Sequence, residues 1–246
     1  GRFRQFVQCD IDILGEASCL AEIELILATT TLLGRLDFFD FKVRINERRI
    51  LKAMASYSGF AEDQFDTVFI ILDKMDKIGW DGVKKELAEA GFEQEKVDLY
   101  VSMFLEMESA PDSLRYLEET LGGILEDGVI GNLRTIRESV EATRACEFEL
   151  VFDPTLVRGM SYYTGTIFEI EMAQFGSSVA GGGRYDKMIG KFTGNDVPAC
   201  GFSIGFERII TILMEQGFEI PGAAGKKEYL VEKKMPAEKL CQVLKE

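Results

Sequence analysis

The opening residues alternate between polar and apolar side chains with a period near two. In Phe3-Arg4-Gln5-Phe6-Val7-Gln8-Cys9-Asp10-Ile11-Asp12-Ile13-Leu14 this pattern predicts a strand, and Gly15 closes it. Side chains two apart on a strand share a face. Arg4, Phe6, Gln8, Asp10 and Asp12 therefore lie on one side, and Phe3, Gln5, Val7, Cys9, Ile11 and Ile13 on the other. A buried sheet face would not carry an arginine, a glutamine and two aspartates without a purpose. That face is expected to line a pocket.

The pattern then changes period twice. A helix is expected from about Ala17 to Leu33, and a short strand over Phe41–Asn46, with Asn46 capping a helix that begins near Glu47. Helical spacing dominates residues of about 58–145: Phe65–Lys77, Gly82–Ala90, Gln94–Met107, Ser113–Glu126 and Asn132–Ala145, punctuated by Gly79, Gly91, Pro111 and Gly128. Strand patterning returns in Phe148–Phe152 and Thr166–Glu171, and an apolar helix is expected over Ile209–Met214. Glu228–Val231 reads as a short strand, with a helix from near Ala237. Strands, a helical block and more strands imply an α+β fold with a mainly antiparallel sheet interrupted by a helical insertion. The expected divisions are 1–57 and 147–222 for the two parts of the core, 58–146 for the insertion, and 223–246 for the start of another αβ domain.

Composition narrows the chemistry. The 246 residues include 18 phenylalanines and are 46% hydrophobic, ample for a packed core, but contain no histidine. Ser-His-Asp and Cys-His nucleophile systems are excluded within this chain, as are HExxH metalloprotease sites and most mixed Cys/His zinc sites. The net charge of −14 argues against a mainly electrostatic nucleic-acid binder and leaves room for a local basic patch. Cys9, Cys19, Cys146, Cys200 and Cys241 form no CxxC pair and read as reduced cytosolic thiols. No apolar run approaches the ~18 residues of a membrane span. No signal peptide is visible, and a start at Gly1 rather than Met is expected to be a boundary within a longer sequence.

Three late segments place arginine near glycine: Arg158-Gly159, Gly183-Arg184, and Gly205 three residues before Arg208. Glycine lets a backbone approach a ligand closely, and arginine grips phosphate or carboxylate bidentately. The repetition, with Arg2 and Arg4 at the start, points to a polyanionic small ligand such as a nucleotide. The same residues also read as plain turns and surface ion pairs. No Walker A sequence is present.

The order of the segments adds a resemblance. GRFRQFVQCDIDILG resembles motif 2 of class II aminoacyl-tRNA synthetases in its histidyl form. LVRGMSYYTGTIFEI and SVAGGGRYDKMIGKF resemble the histidine-binding and glycine-rich signatures of histidyl-tRNA synthetases, and ACGFSIGFERI resembles motif 3. All four stand in that family's order, with a helical insertion between the first and second.

The resemblance implies a class II fold, with 223–246 opening an anticodon-binding domain. It implies that Gln8 and Asp12 contact the substrate histidine, that Tyr163 meets its second ring nitrogen, and that Tyr162 and Tyr185 shape the pocket. Phe6 would stack on adenine, Arg2 and Arg208 would hold terminal phosphates, and Arg158 would reach both the α-phosphate and the amino-acid carboxylate. L-Histidine, ATP with Mg²⁺, and tRNA(His) are the implied ligands. No protein residue is implied as a direct metal ligand. A homodimer and a cytoplasmic location are implied for the full-length form.

The family often has Asp where this chain has Ser161, and motif 1 and the first arginine of motif 2 are not visible. The chain by itself is therefore expected to be nearly inactive in aminoacylation. The alternative on the same fold is the regulatory paralogue that serves ATP phosphoribosyltransferase in histidine biosynthesis. That paralogue commonly loses the arginine matched here by Arg158, and the complete RGMSYYTG string favours the synthetase.

Overall fold

A computed structural model of the chain describes residues 5–158, 162–173 and 177–218, together with positions 236 and 239. Its strands are β1 (Gln8–Leu14), β2 (Phe41–Glu47), β3 (Glu149–Phe152), β4 (Thr166–Met172), β5 (Ser177–Arg184) and β6 (Ala199–Gly205). They form one sheet in the order β1-β6-β5-β4-β2-β3. Every neighbouring pair is antiparallel except β2 and β3. A parallel pair needs a long crossover, and the helical segment between β2 and β3 supplies it. The α+β reading with a mainly antiparallel sheet matches this architecture.

Register explains how the sheet separates its two faces. Ile11 pairs with Phe202, Phe202 with Gly182, Gly182 with Phe168, and Phe168 with Ile45. From Phe202 to Ile45 this row is buried in the core, where the Phe168 and Phe202 rings lie 4.6 Å apart, while Ile11 on the edge strand is exposed. The next row along the strands runs Asp10, Ser203, Gly181, Glu169, Arg44 and faces the other way. The polar face expected for β1 is therefore one end of a polar row that crosses the sheet. β5 and β6 had no counterpart in the expected strands.

Helix α1 (Leu20–Arg35) packs against β1 and β6. It starts later than Ala17 because the carbonyls of Glu16 and Ser18 accept from the Arg184 guanidinium instead of entering a helix. Helix α2 (Arg48–Tyr57) is capped by Glu47, whose side chain accepts from the Arg49 amide. Asn46 is therefore not the cap. Its side-chain amide donates to the carbonyls of Pro154 and Leu156 and holds the chain that leaves β3.

A 3-10 turn at Glu62–Gln64 is followed by α3 (Phe65–Leu72), α4 (Met75–Glu89), α5 (Gln94–Ser109), α6 (Ser113–Leu121) and α7 (Val129–Thr143). The helix expected over Phe65–Lys77 is divided: α3 ends at Leu72 and α4 starts at Met75. Gly79, expected to punctuate, has φ 64° and ψ 177° and kinks α4. Tyr100 and Phe104 are buried in this helical layer, with their rings 5.1 Å apart.

A short helix, α8 (Gly190–Thr193), and then α9 (Phe206–Glu215) complete the described elements. The chain divides into two compact units, 1–208 and 209–246. The described continuous part of the second unit ends at Phe218, so the strand and helix expected near Glu228–Val231 and Ala237 lie outside the described residues. Among the described residues no helix is long and apolar enough to cross a membrane.

Candidate active site

The polar row opens into a cavity of about 790 Å³, lined by Gln8, Asp10 and Asp12 from β1 and by Gly201 and Ser203 from β6. Glycine at the floor is what gives it depth. A β-carbon on Gly181 would stand 2.5 Å from Nη1 of Arg158, and one on Gly201 would collide with the Asp12 carboxylate. The space that those side chains would take is occupied by functional groups lying flat on the sheet.

Part of the cavity is built from a carboxylate and phenols. The Tyr185 hydroxyl donates to Oδ1 of Asp12. Tyr185 is fixed by its own backbone, whose amide donates to the Ala199 carbonyl at 2.7 Å. Tyr162 lies with its ring centroid 4.6 Å from Tyr163 and meets Tyr185 edge-on at 6.2 Å. Tyr163 packs with Leu156 and Ile167 in a small buried cluster on which Tyr162 and Tyr185 rest. Burial pushes both the Tyr163 and Tyr185 phenols well above their ordinary range; the hydrogen bond to Asp12 adds to the effect at Tyr185 and the Tyr162 hydroxyl adds to it at Tyr163. They remain neutral donors at physiological pH. Beside them, Gln8 donates from Nε2 to the Ser203 hydroxyl at 2.6 Å.

Two arginines line the same cavity, Arg158 within reach of the Tyr163 phenol. Arg158 has φ 55°, in the left-handed region, and its guanidinium donates to Oε2 of Glu169 at 2.5 Å. A non-glycine residue held there is a strained position of the kind found at functional sites. Arg208, in the first turn of α9, lines the cavity and donates to the Ser178 carbonyl. Phe6 is 57% exposed at the rim, an aromatic face open to a planar ligand. Its neighbour Val7 donates its amide to the Glu207 carboxylate at 2.5 Å.

The cavity thus gathers Phe6, Gln8, Asp12, Arg158, Tyr162, Tyr163, Tyr185 and Arg208. Arg2, and Ser161 beside the tyrosines, lie outside the described residues. Arg184 is a correction to the arginine–glycine reading. It does not line the cavity, and its guanidinium is consumed by both Glu22 oxygens at 2.6 Å, by Asp186 and by the two carbonyls near α1. Ser203, Glu169 and Glu207 were not among the expected site residues. Ser203 had a legible signal: Gly201, Ser203 and Gly205 alternate with Cys200, Phe202 and Ile204.

A six-stranded, mainly antiparallel sheet with helices around it and a polar cleft on one face defines a class II synthetase-like core. Residues 1–209 match the family model described as Histidyl-tRNA synthetase. The chain belongs to that family. It is 48% identical over 229 residues to a histidine–tRNA ligase of Leifsonia xyli subsp. xyli, covering 92% of this chain and 52% of that protein. The crystal structure of histidyl-tRNA synthetase from Nostoc sp. PCC 7120 superposes with a TM-score of 0.74 at 28% identity, covering 89% of this chain and 52% of that one. A structure described as an ATP phosphoribosyltransferase regulatory subunit/histidyl-tRNA synthetase from Bacillus halodurans shares the fold, with a TM-score of 0.70 at 22% identity. The chain spans about half the length of the curated relatives that it matches.

Proposed function

We propose that this chain is catalytic sequence of a histidine–tRNA ligase, which activates L-histidine with ATP and transfers it to tRNA(His). The observation that carries this reading is the meeting, in one cavity, of Asp12 and the tyrosines with Arg158 and Arg208. Asp12 accepts an imidazole N–H and favours the charged ring, Tyr163 meets the second nitrogen, and Tyr162 and Tyr185 bound the slot. Such polar partners discriminate against apolar amino acids more strongly than shape alone, because the wrong substrate leaves them unpaired. Gln8 contacts the same substrate from β1.

Phe6 stacks on adenine and Arg208 holds the terminal phosphates, an office that Arg2 shares. Arg158 bridges the histidine carboxylate and the α-phosphate, where charge develops as the carboxylate oxygen attacks. Histidyl-adenylate forms and pyrophosphate leaves. The terminal ribose hydroxyl of the tRNA then attacks the adenylate carbonyl and AMP leaves. No protein nucleophile takes part, so a chain without histidine loses nothing; the rate comes from positioning and from fixed charge.

Among the described residues no group of three acidic or thiol side chains forms a metal cage. Mg²⁺ would enter with ATP, and Glu207, next to Arg208 in sequence, is one of the carboxylates that line the cavity. When bound, Mg²⁺ would neutralise phosphate charge. We further propose that the full-length protein is a cytoplasmic homodimer.

Retention of Arg158 supports the ligase over the regulatory reading, whose support is likeness of fold. Histidine-dependent ATP–pyrophosphate exchange by the full-length protein tests the choice. Exchange with histidine is expected. Histidine binding without exchange would instead select the regulator.

A further inference from the structure

Arg158 does not stand alone on the sheet. Its Nη1 donates to Oε2 of Glu169 at 2.5 Å, and Oε1 of Glu169 faces Nη1 of Arg44 at 3.8 Å. Arg44 in turn donates from Nε to Asp153 at 2.5 Å and from Nη1 to Asp76 at 3.2 Å. Register sets the first part of this line: Gly181, under Arg158, pairs with Glu169, and Glu169 pairs with Arg44. Asp76 lies outside the sheet, in the first turn of α4. A second cavity, of about 240 Å³, borders Arg158, Glu169, Arg44 and Asp76.

Side chains in this line differ in exposure in a useful way. Arg158, Glu169 and Arg44 retain only 20%, 16% and 12% of their side-chain exposure, whereas Asp76 retains 63%. One partly buried carboxylate stands between the two guanidinium groups, bonded to Arg158 and facing Arg44, which Asp153 holds. Asp76 is the exposed member of its pair and Arg44 keeps Asp153, so Asp76 can be altered without unfolding the sheet. The kink at Gly79 divides the turn that carries Asp76 from the rest of α4, where Trp80 packs on Phe104 at 5.0 Å. The first turn of α4 thus reaches to the sheet while the remainder belongs to the helical layer.

We propose that Glu169 and Arg44 are positioning residues for Arg158, and that Asp76 extends this control to the helical segment between β2 and β3. The consequence for catalysis rests on the reading that Arg158 meets the α-phosphate; the positioning itself does not. A shift of the first turn of α4 takes the Asp76 carboxylate away from Nη1 of Arg44 while Nε stays on Asp153, which frees Nη1 to turn from Glu169 and lets the Arg158 guanidinium leave its place over Gly181.

The test uses the full-length protein and Asp76→Asn, with Asp76→Glu as the conservative variant. The Nε–H resonance of Arg158, assigned by its loss in Arg158→Lys, reports the guanidinium without turnover. Asp76→Asn is expected to shift that resonance and to lower kcat for pyrophosphate exchange about five- to ten-fold. KM for histidine should stay within about two-fold, thermal stability should hold, and Asp76→Glu should restore both signals. An unmoved Arg158 resonance overturns the positioning line, whatever the turnover. A moved resonance with unchanged kcat overturns the control of catalysis. If the unsubstituted protein shows no histidine-dependent exchange, the ligase reading has failed, and the resonance alone still decides whether Asp76 positions Arg158.

Discussion

The Tyr185 hydroxyl donates its proton to the Asp12 carboxylate, tying the end of β5 to edge strand β1 inside the cavity. This bond aims one carboxylate oxygen along the cavity lining. Removing the carboxylate charge with Asp12→Asn should cost about 1.5–3 kcal/mol of histidine recognition. In pyrophosphate exchange by the full-length protein this appears as a fall of about 10–150-fold in kcat/KM for histidine. Tyr185→Phe should give a smaller fall in the same direction. A loss confined to thermal stability would mean that the pair only holds β1 in place.

Gly181 tests the floor of the site. Because a β-carbon there would stand 2.5 Å from the Arg158 guanidinium, Gly181→Ala must displace that group. A displacement near 1 Å costs about 100-fold in rate when a group is required in register with the reacting atoms. Exchange kcat should fall by about that factor while the far-ultraviolet circular dichroism spectrum is unchanged. Wild-type turnover in this variant would remove Arg158 from the chemistry.

Two arginines with similar sequence surroundings should respond in opposite ways. Arg184 and Glu22 are 8% and 2% exposed and form a bidentate pair. Breaking such a pair from one side typically costs about 3–5 kcal/mol. Glu22→Gln should lower the urea midpoint accordingly, whereas Arg208→Ala should abolish exchange with a midpoint close to that of the parent. Equal midpoints for both variants would contradict the division between a structural and a ligand-binding arginine.

The phenols give a pH dependence with a defined sign. Tyr163 and Tyr185 keep their protons in the folded chain to higher pH than the reference value of 10.0. The unfolded chain therefore binds fewer protons above that value, so stability is fully present below about pH 10 and falls as pH rises beyond it. Tyrosinate absorbance should show these residues ionising only as the fold is lost, and Tyr185→Phe should reduce the alkaline slope. Ionisation of all tyrosines near pH 10 in the folded protein would count against the buried pocket.

The legible parts of the sequence were those where side chains alternate. β1 was readable because Gln8, Asp10 and Asp12 interrupt an apolar series, and those same residues line the cavity. β5 was hidden because Gly181, Gly182 and Gly183 have no side chains to carry a period, although the bareness of Gly181 is what lets Arg158 lie on the sheet. Arg184 and Arg158 looked alike beside glycine; only pairing across strands distinguishes them, since Arg184 meets Glu22 from α1. Asn46 and Glu47 exchanged the expected capping role because the tertiary contact of Asn46 with Pro154 and Leu156 outweighs its local preference. The Asp76–Arg44 contact joins residues 32 apart in sequence, and no local pattern announces it.

The most direct test of the central claim is a crystal structure of the full-length protein with histidine and ATP bound. The account predicts the imidazole between Asp12 and Tyr163, with the histidine carboxylate and the α-phosphate both within hydrogen-bonding distance of Arg158. An empty cavity with both ligands in excess, or an imidazole bound away from Asp12, would contradict it.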